Sequence, residues 1–326
     1  MTDNKLNIVL GGAGFIGFNL INNLVENNQK VLVIDDLSNS INQDLFFKFI
    51  QKHNVKFFQF DINKINDSNF IEVIKFSKDF ERIDFWHLAA NSDIRASIEN
   101  PTLDLDKTLK TTLSAINLAS NLKKVTMIFS SSSAIYGSQP NKILQEDEIL
   151  LEPTSNYGIT KLASEMFLKN SLNFEFESLI IFRFPNILGT PSTHGVIHDW
   201  MKQANEKKVV NVLGDGTQQK QYMNVHTLVD CMIYLVKHND SNFNIFNIGP
   251  DDYGVSVKYL MSIFLKYWKF PIEVTYQKEN IGWRGDVNRY RMSVSKIINY
   301  GWKNEILTEK EVEKSISEMI NFSKPN

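Results

Sequence analysis

Tyr157 and Lys161 stand four residues apart in Tyr157-Gly158-Ile159-Thr160-Lys161, a spacing that brings both side chains to one face of a helix. Tyrosine is a poor base at neutral pH, with a reference pKa of about 10. Lowering that value by ~3 units takes ~4 kcal/mol of differential interaction, which two close positive charges in a partly dry site can supply. The same spacing also occurs on ordinary surface helices, so its meaning depends on its surroundings. Near the start of the chain, Gly11, Gly12, Gly14 and Gly17 follow the apolar run Leu6, Ile8, Val9 and Leu10. They precede an amphipathic stretch, 15–26, with Ile16, Leu20, Ile21 and Leu24 on one helical face. Strand, glycine turn and helix in that order make a phosphate cradle. Gly11 allows the tight turn, Gly14 lets the backbone approach a pyrophosphate, and Gly17 lets helix and strand pack closely. Free N–H groups and the positive end of the helix dipole face the anion. A bland glycine-rich turn is the alternative reading.

A second apolar run, 30–34, ends at Asp35-Asp36, about twenty residues beyond the glycines. A carboxylate there accepts both hydroxyls of an adenosine ribose and repels a 2′-phosphate. No arginine follows immediately to neutralise it, so the pattern favours NAD over NADP. An acidic turn after a strand is the plainer alternative.

Further runs at 55–60, 83–88, 125–130 and 180–184 read as strands, and 102–122 as a long helix. Strand and helix alternate across residues 6–182, which predicts an α/β fold with a doubly wound parallel sheet of Rossmann type. Beyond it the pattern is less regular: 195–208 is helical, 214–218 reads as a hairpin-like turn, and 243–249 as a strand. Residues 250–326 hold two helical stretches around Trp283 to Val287 and Gly301-Trp302. The expected division is a dinucleotide-binding domain over 1–182 and a smaller C-terminal α/β substrate domain over 183–326, with some segments of the latter returning to the first sheet.

The spacing Gly-x-x-Gly-x-x-Gly, the Asp35-Asp36-Leu37-Ser38-Asn39-Ser40 run, His87-Leu88-Ala89-Ala90 and Tyr157-x-x-x-Lys161 resemble the extended short-chain dehydrogenase/reductase superfamily, in its nucleotide-sugar epimerase and dehydratase group. Within that group the chain resembles the UDP-glucose/UDP-galactose 4-epimerases. The resemblance covers nearly the whole chain. It implies NAD contacts at Gly11, Gly14, Phe15, Ile16, Gly17, Asp35, Asp36, Asn39, Ser40, Asp61, Ile62, Leu88, Ala89, Ala90, Ser130, Tyr157, Lys161 and Phe184. Ser132, twenty-five residues before Tyr157, takes the place of the family's sugar-hydroxyl-binding serine, so Ser132, Tyr157 and Lys161 are the expected catalytic set. Substrate contacts are implied at Ser92, Arg95, Ser132, Ser133, Asn186, Lys220, Tyr222, Arg284 and Tyr290. Asp93 reads equally well as part of a solvated loop.

Departures from the family pattern sharpen the expectation. Dehydratases carry two carboxyl residues after the threonine that corresponds to Ser132, because elimination of water needs an acid and a base. Here Ser133 and Ala134 stand there, so dehydration and the related decarboxylation are disfavoured. Thr108 replaces a cofactor-contacting asparagine, and Lys220 a diphosphate-gripping arginine, keeping the charge without the bidentate fork. Trp283 takes the place of a second arginine, with Arg284 following it. Tyr290 falls where the family limits bulk at C2, and a large ring there disfavours N-acetylated sugars.

The bulk numbers restrict the alternatives. With 326 residues, 43% hydrophobic and 22% charged, the chain has ample material for one large domain or two smaller ones. A net charge of −2 gives no electrostatic case for nucleic acid or an anionic membrane. The single cysteine, Cys231, excludes an intramolecular disulfide and fits a reducing cytoplasm, and no apolar run reaches the ~18 residues of a membrane span. His194 and His198 are spaced for a metal but lack an evident third ligand, so no metal is expected. The resulting expectation is a cytoplasmic, homodimeric, NAD-dependent epimerase acting at C4 of a nucleotide-diphosphate hexose. A sugar-nucleotide dehydrogenase or reductase is the first alternative, and a dehydratase or a non-catalytic NAD-binding protein follows.

Overall fold

The computed structural model describes residues 4–64, 68–94, 96–139, 142–280, 282–283, 285–303 and 305–323. Runs rich in Val, Ile, Leu and Phe form the strands β1 (Lys5–Leu10), β2 (Lys30–Asp35), β3 (Lys56–Gln59), β4 (Arg82–His87), β5 (Val125–Ser130), β6 (Ser178–Arg183) and β7 (Phe243–Asn247). They build one sheet in the order β7-β6-β5-β4-β1-β2-β3. The pairs β1–β2, β1–β4, β2–β3, β4–β5 and β5–β6 are parallel. Parallel strands are covered on both faces and therefore read as continuous rather than alternating apolar runs; Leu6, Ile8, Val9, Leu32, Val33, Phe85, Met127 and Phe129 are buried in this way.

From β1 the chain runs outward through α1 (Phe15–Glu26), β2, α2 (Gln43–His53) and β3, then returns through α3 (Ser68–Ser77) to place β4 on the other side of β1. The β1–β4 border is thus the switch point, where ligands of doubly wound sheets sit at the carboxyl ends of the strands. There the N–H groups of Leu88 and Ala89 both donate to the Leu10 carbonyl, at 2.9 and 3.0 Å.

The helical run expected over 102–122 is not uniform. It opens with a short α-turn (Thr102–Asp104), passes through a π-helical turn (Leu105–Leu109) and becomes α4 (Lys110–Ala119). Helix α5 (Asn156–Ser171) carries Tyr157 in its first turn.

The chain forms two compact units, one comprising 1–131, 159–182 and 238–245, the other 132–158, 183–237 and 246–326. The second unit holds small paired strands: Asn186–Leu188 with Tyr222–Asn224, Val209–Val212 with Glu273–Tyr276, Gln219–Lys220 with Val255–Ser256, and Ile143–Leu144 with Arg291–Met292. Its core gathers Trp200, Met201, Leu260, Phe264, Val312 and Ile316 from three amphipathic helices. The 214–218 segment is not a hairpin turn, because the strands on either side of it pair elsewhere. Gly214 and Gly216, at φ +78° and +81°, bend it into a loop that the Gln218 side chain ties to the Leu213 carbonyl at 3.1 Å. No helix among the described residues is long and apolar enough to cross a membrane.

Candidate active site

The glycine turn of the first unit is tightly closed at Gly11 and Gly17 and less crowded at Gly14. A Cβ on Gly11 would stand 2.6 Å from the Ala89 nitrogen, and the residue has φ +86°. A Cβ on Gly17 would overlap the Gly11 carbonyl oxygen and lie 2.7 Å from Gly12 Cα. At Gly14 the nearest atom to such a Cβ is 3.3 Å away. Gly14 is also the N-cap of α1, with no side chain capping the helix. The N–H groups of the first turn, at Phe15 and Ile16 and beyond, are those a helix leaves without an intrahelical acceptor. This is a cradle that fits a dinucleotide pyrophosphate.

At the end of β2, Asp35 braces that turn. Its carboxylate accepts from the Ala13 N–H at 2.9 Å and from the Leu37 N–H at 2.8 Å. Burial raises the Asp35 pKa above its ordinary value, against the lowering effect of those two donors. A carboxylate has further lone pairs for two ribose hydroxyls, so the group fits there as well. Asp36 accepts from the N–H and hydroxyl of Ser38, and from Lys107 Nζ at 2.9 Å. Burial alone would raise the Asp36 pKa, but these donors outweigh it and hold it below the ordinary value. Sequence inspection missed Lys107 because it reaches Asp36 from the π-helical turn, 71 residues away; nothing in the local pattern signals the pair.

The neighbouring loops are tied together by side chains. Asn39 donates to Ser92 Oγ at 2.9 Å, and the Ser40 hydroxyl reaches the Leu37 carbonyl at 3.4 Å. Asp61 accepts from the Asn63 N–H at 3.0 Å, next to the buried Ile62. Asn63 in turn bonds Ser114 and Thr111 of α4. Thr108 turns inward and accepts from the Asn91 N–H at 3.1 Å. Asp93 is exposed and accepts from the Ala96 N–H at the start of a short helix. Leu88, Ala89 and Ala90 are half-buried along the loop after β4. Arg95 lies outside the described residues.

Lys161 is 2% exposed; its Nζ donates to the Ser130 carbonyl at 2.6 Å and lies 4.7 Å from the Phe129 ring centre. Burial pushes its pKa down to about 7, partly offset by the carboxylates of Glu165 and Asp104. One helical turn beyond, Glu165 accepts from the Ser131 hydroxyl. The Ser130 hydroxyl donates to the His87 carbonyl at 3.2 Å. His87 is fully buried, with Nε2 2.9 Å from Thr112 Oγ1 and its ring against Phe129. Its pKa is pushed down to about 3 by burial and then by the Lys161 charge, so it is a neutral core side chain at physiological pH.

In the second unit, Ser132 is the N-cap of a 3-10 turn (Ser133–Tyr136) and its Oγ accepts from the Ala134 N–H at 3.1 Å. The Ser133 hydroxyl donates to Tyr290 Oη at 3.2 Å. Tyr290 is buried, and its pKa is pushed up to about 12, chiefly by that burial. Tyr157 is half-buried in the first turn of α5. Lys220 pairs with Asp286 and lies 4.6 Å from the Trp283 ring centre. Tyr222 is buried on the strand beside Asn186, whose amide donates to the Gln221 carbonyl at 3.4 Å. Phe184 is buried, and Arg284 lies outside the described residues. Arg183 donates to Tyr136 Oη at 2.9 Å and to the Glu146 carbonyl at 3.0 Å, forming a buried brace that the expected site did not include.

His194 Nδ1 lies 2.7 Å from Thr193 Oγ1, and no group of three or more potential metal ligands occurs among the described residues.

The model of the NAD dependent epimerase/dehydratase family matches residues 7–249. A putative UDP-glucose 4-epimerase of Methanocaldococcus jannaschii is 28% identical over 324 residues, covering 98% of each chain. The solved UDP-N-acetylglucosamine 4-epimerase from Methanobrevibacter ruminantium M1, in complex with UDP-N-acetylmuramic acid, is 25% identical. Its TM-score is 0.80, with 99% of this chain and 98% of that one covered. The UDP-glucuronic acid 4-epimerase from Bacillus cereus, in complex with UDP-glucuronic acid and NAD, shares the fold with a TM-score of 0.82. It is 22% identical, with 98% of this chain and 99% of that one covered.

Proposed function

Because the chain belongs to the NAD dependent epimerase/dehydratase family, we propose that it is an NAD-dependent enzyme that epimerises C4 of a nucleotide-diphosphate hexose through a transient 4-keto sugar. The first unit is the dinucleotide-binding unit and the second the sugar-nucleotide unit. The observation that carries this reading is the helix α5, which holds Tyr157 in its first turn and places Lys161 one turn further on. The Ser132-Ser133-Ala134 run that precedes it lacks the carboxyl pair that elimination needs.

NAD bound in the glycine cradle supplies a reversible hydride acceptor. Tyr157 takes the proton of the C4 hydroxyl as a phenolate and later returns it. Lys161 is held by the Ser130 carbonyl, and its ammonium favours the phenolate over the phenol. Ser132 hydrogen-bonds the same sugar hydroxyl and orients it. Asn186, Lys220 and Tyr222 bind the diphosphate side, Lys220 on exchanging Asp286 for phosphate oxygens. Tyr290, fixed by Ser133, limits bulk at C2. Its single cysteine supports a cytoplasmic location, and family resemblance supports a homodimer. Two compact copies of 37.6 kDa would sediment as one species of twice that mass, and a monomeric species would reject the dimer.

The test is incubation with a panel of UDP-, GDP-, CDP- and dTDP-sugars, with products identified by NMR while NADH absorbance is followed. Interconversion of C4 epimers without net NADH is the expected result. Stoichiometric NADH and a released keto-sugar would make the protein a dehydrogenase instead.

A further inference from the structure

The end of β5 holds two side chains of α5 at once. The Ser130 carbonyl accepts from Lys161 Nζ at 2.6 Å, and the hydroxyl of the next residue, Ser131, donates to the Glu165 carboxylate. Lys161 and Glu165 are four apart on α5 and so share one helical face, and both are buried. A third charge reaches them from the short turn Thr102–Asp104. The Asp104 carboxylate is wholly buried and acts on the Lys161 ammonium. One of its oxygens accepts from Asn91 Nδ2 at 2.8 Å, while Oδ2 has no hydrogen-bond partner among the described residues. From β5 the ammonium also meets the uncharged Phe129 ring, and from β4 it meets His87, which is neutral at physiological pH.

We propose that Glu165 and Asp104 are positioning residues of the reaction, two buried carboxylates that hold Lys161 as an ammonium against the end of β5. The inference rests on the epimerase reading, in which Lys161 must be charged to favour the Tyr157 phenolate. A lysine enclosed by apolar groups gives up its proton unless anions face it. Burial takes Lys161 down to about 7 even with both carboxylates beside it, so removing either one leaves it largely neutral at working pH. The dependence runs both ways. A buried carboxylate without a cation nearby is costly, so the three side chains stay together only while the ammonium keeps its charge. Distance keeps Glu165 from opposing the base. It lies about 6 Å along the helix axis from Lys161 and about 12 Å from Tyr157, so its charge favours the ammonium more than it disfavours the phenolate.

The experiment labels the lysines with carbon-13 at Cε in wild type, Glu165→Gln and Asp104→Asn, and follows by NMR, across pH, the signal that Lys161→Met removes. Both amide variants keep an oxygen to accept from the Ser131 hydroxyl or the Asn91 amide, so charge is lost and the hydrogen bond is kept. The Lys161 midpoint is expected to fall by about one pH unit in each variant. Glu165→Asp, which keeps the charge, is expected to stay closer to wild type than Glu165→Gln does. Epimerisation by the same proteins is then compared at two pH values. A fall of that size lowers turnover by about tenfold at pH 8 but only about twofold at pH 6, with the KM for the sugar nucleotide little changed. A purely structural defect would lower turnover by the same factor at both. An unmoved midpoint removes that residue's role, and two unmoved midpoints would overturn the proposal. So would moved midpoints with a turnover deficit that is the same at both pH values. Each variant is read on its own, so one that fails to fold leaves the other decisive. A wild type that turns over no sugar nucleotide, while the midpoint still falls in the variants, would overturn the epimerase reading and leave the charge pairing standing.

Discussion

Burial acts on His87 and Lys161 in the same direction, since it penalises the charged form of each, and each leaves a distinct signature in stability. Free histidine titrates at about 6.5, whereas His87 in the fold titrates at about 3. Above pH 6.5 both states are neutral and the group adds no pH dependence. As pH falls from 6.5 towards 3, the unfolded chain takes a proton that the native chain refuses, so stability drops, by about 2 kcal/mol at pH 5. His87→Gln is expected to remove that component, read as a smaller loss of urea midpoint between pH 7 and pH 5 than in wild type. Lys161 works in the alkaline window. Between about 7 and the ordinary lysine value of 10.5 the unfolded chain holds a proton that the native state releases, so stability rises with pH. Lys161→Met should flatten the rise between pH 7 and pH 9 in the same measurement. For the chemistry, Tyr157→Phe is expected to lower turnover by about 10²- to 10⁴-fold while dinucleotide stays bound, and unchanged turnover would sink the assigned base. Tyr290→Ala is expected to raise turnover of an N-acetylated substrate relative to the plain hexose, compared by NMR on both sugars.

At the scale of elements, the strand–turn–helix unit of β1 and α1 is held by two devices that cannot be exchanged for each other. Gly17 brings the first turn of α1 against the backbone of Gly11 and Gly12. Both obstacles to a side chain there are backbone atoms, which have little room to yield. Gly17→Ala is therefore expected to destabilise the fold by about 1–3 kcal/mol and to release bound dinucleotide, measurable as a lowered melting temperature and loss of co-purifying NAD. Asp35 is the second device, a side chain standing in for backbone partners of Ala13 and Leu37. The open first turn of α1 is the reverse case. Two other α-helices begin on a polar N-cap that spends its side chain on their own N–H groups, Asn42 for Leu45 and Ser256 for Tyr259. Gly14 does not, and the donors it leaves are those that an anion can use.

At the scale of the whole molecule, ligand binding adds directly to stability. A ligand that binds only the native state at a hundredfold excess over its Kd stabilises by about 2.7 kcal/mol, so stripping NAD is expected to lower the melting temperature, and re-adding it to restore the value. If the glycine cradle is the binding locus, Gly17→Ala should show little of that response. A wild-type melting temperature indifferent to NAD would reject the cradle as a cofactor site.

Periodicity and turn chemistry determined the architecture in advance. Parallel strands must be apolar throughout, helices must repeat at 3.6 residues, and a strand running into Gly11-x-x-Gly14-x-x-Gly17 has few ways to turn. The α/β class was legible for that reason; the NAD requirement came from Asp35-Asp36 after the glycine turn, and the family from the resemblance of short motifs, each made of residues close in sequence. What only the tertiary structure decided are pairings between distant side chains: Lys107 with Asp36, Glu165 with Ser131, Lys220 with Asp286, and Arg183 with Tyr136. The loop at 214–218 belongs with them, since its flanking strands chose partners far along the chain. A charge in a sequence carries its sign but not its neighbour, and Coulomb energies depend on separation in space and on the local dielectric. Both quantities exist only once the chain has folded.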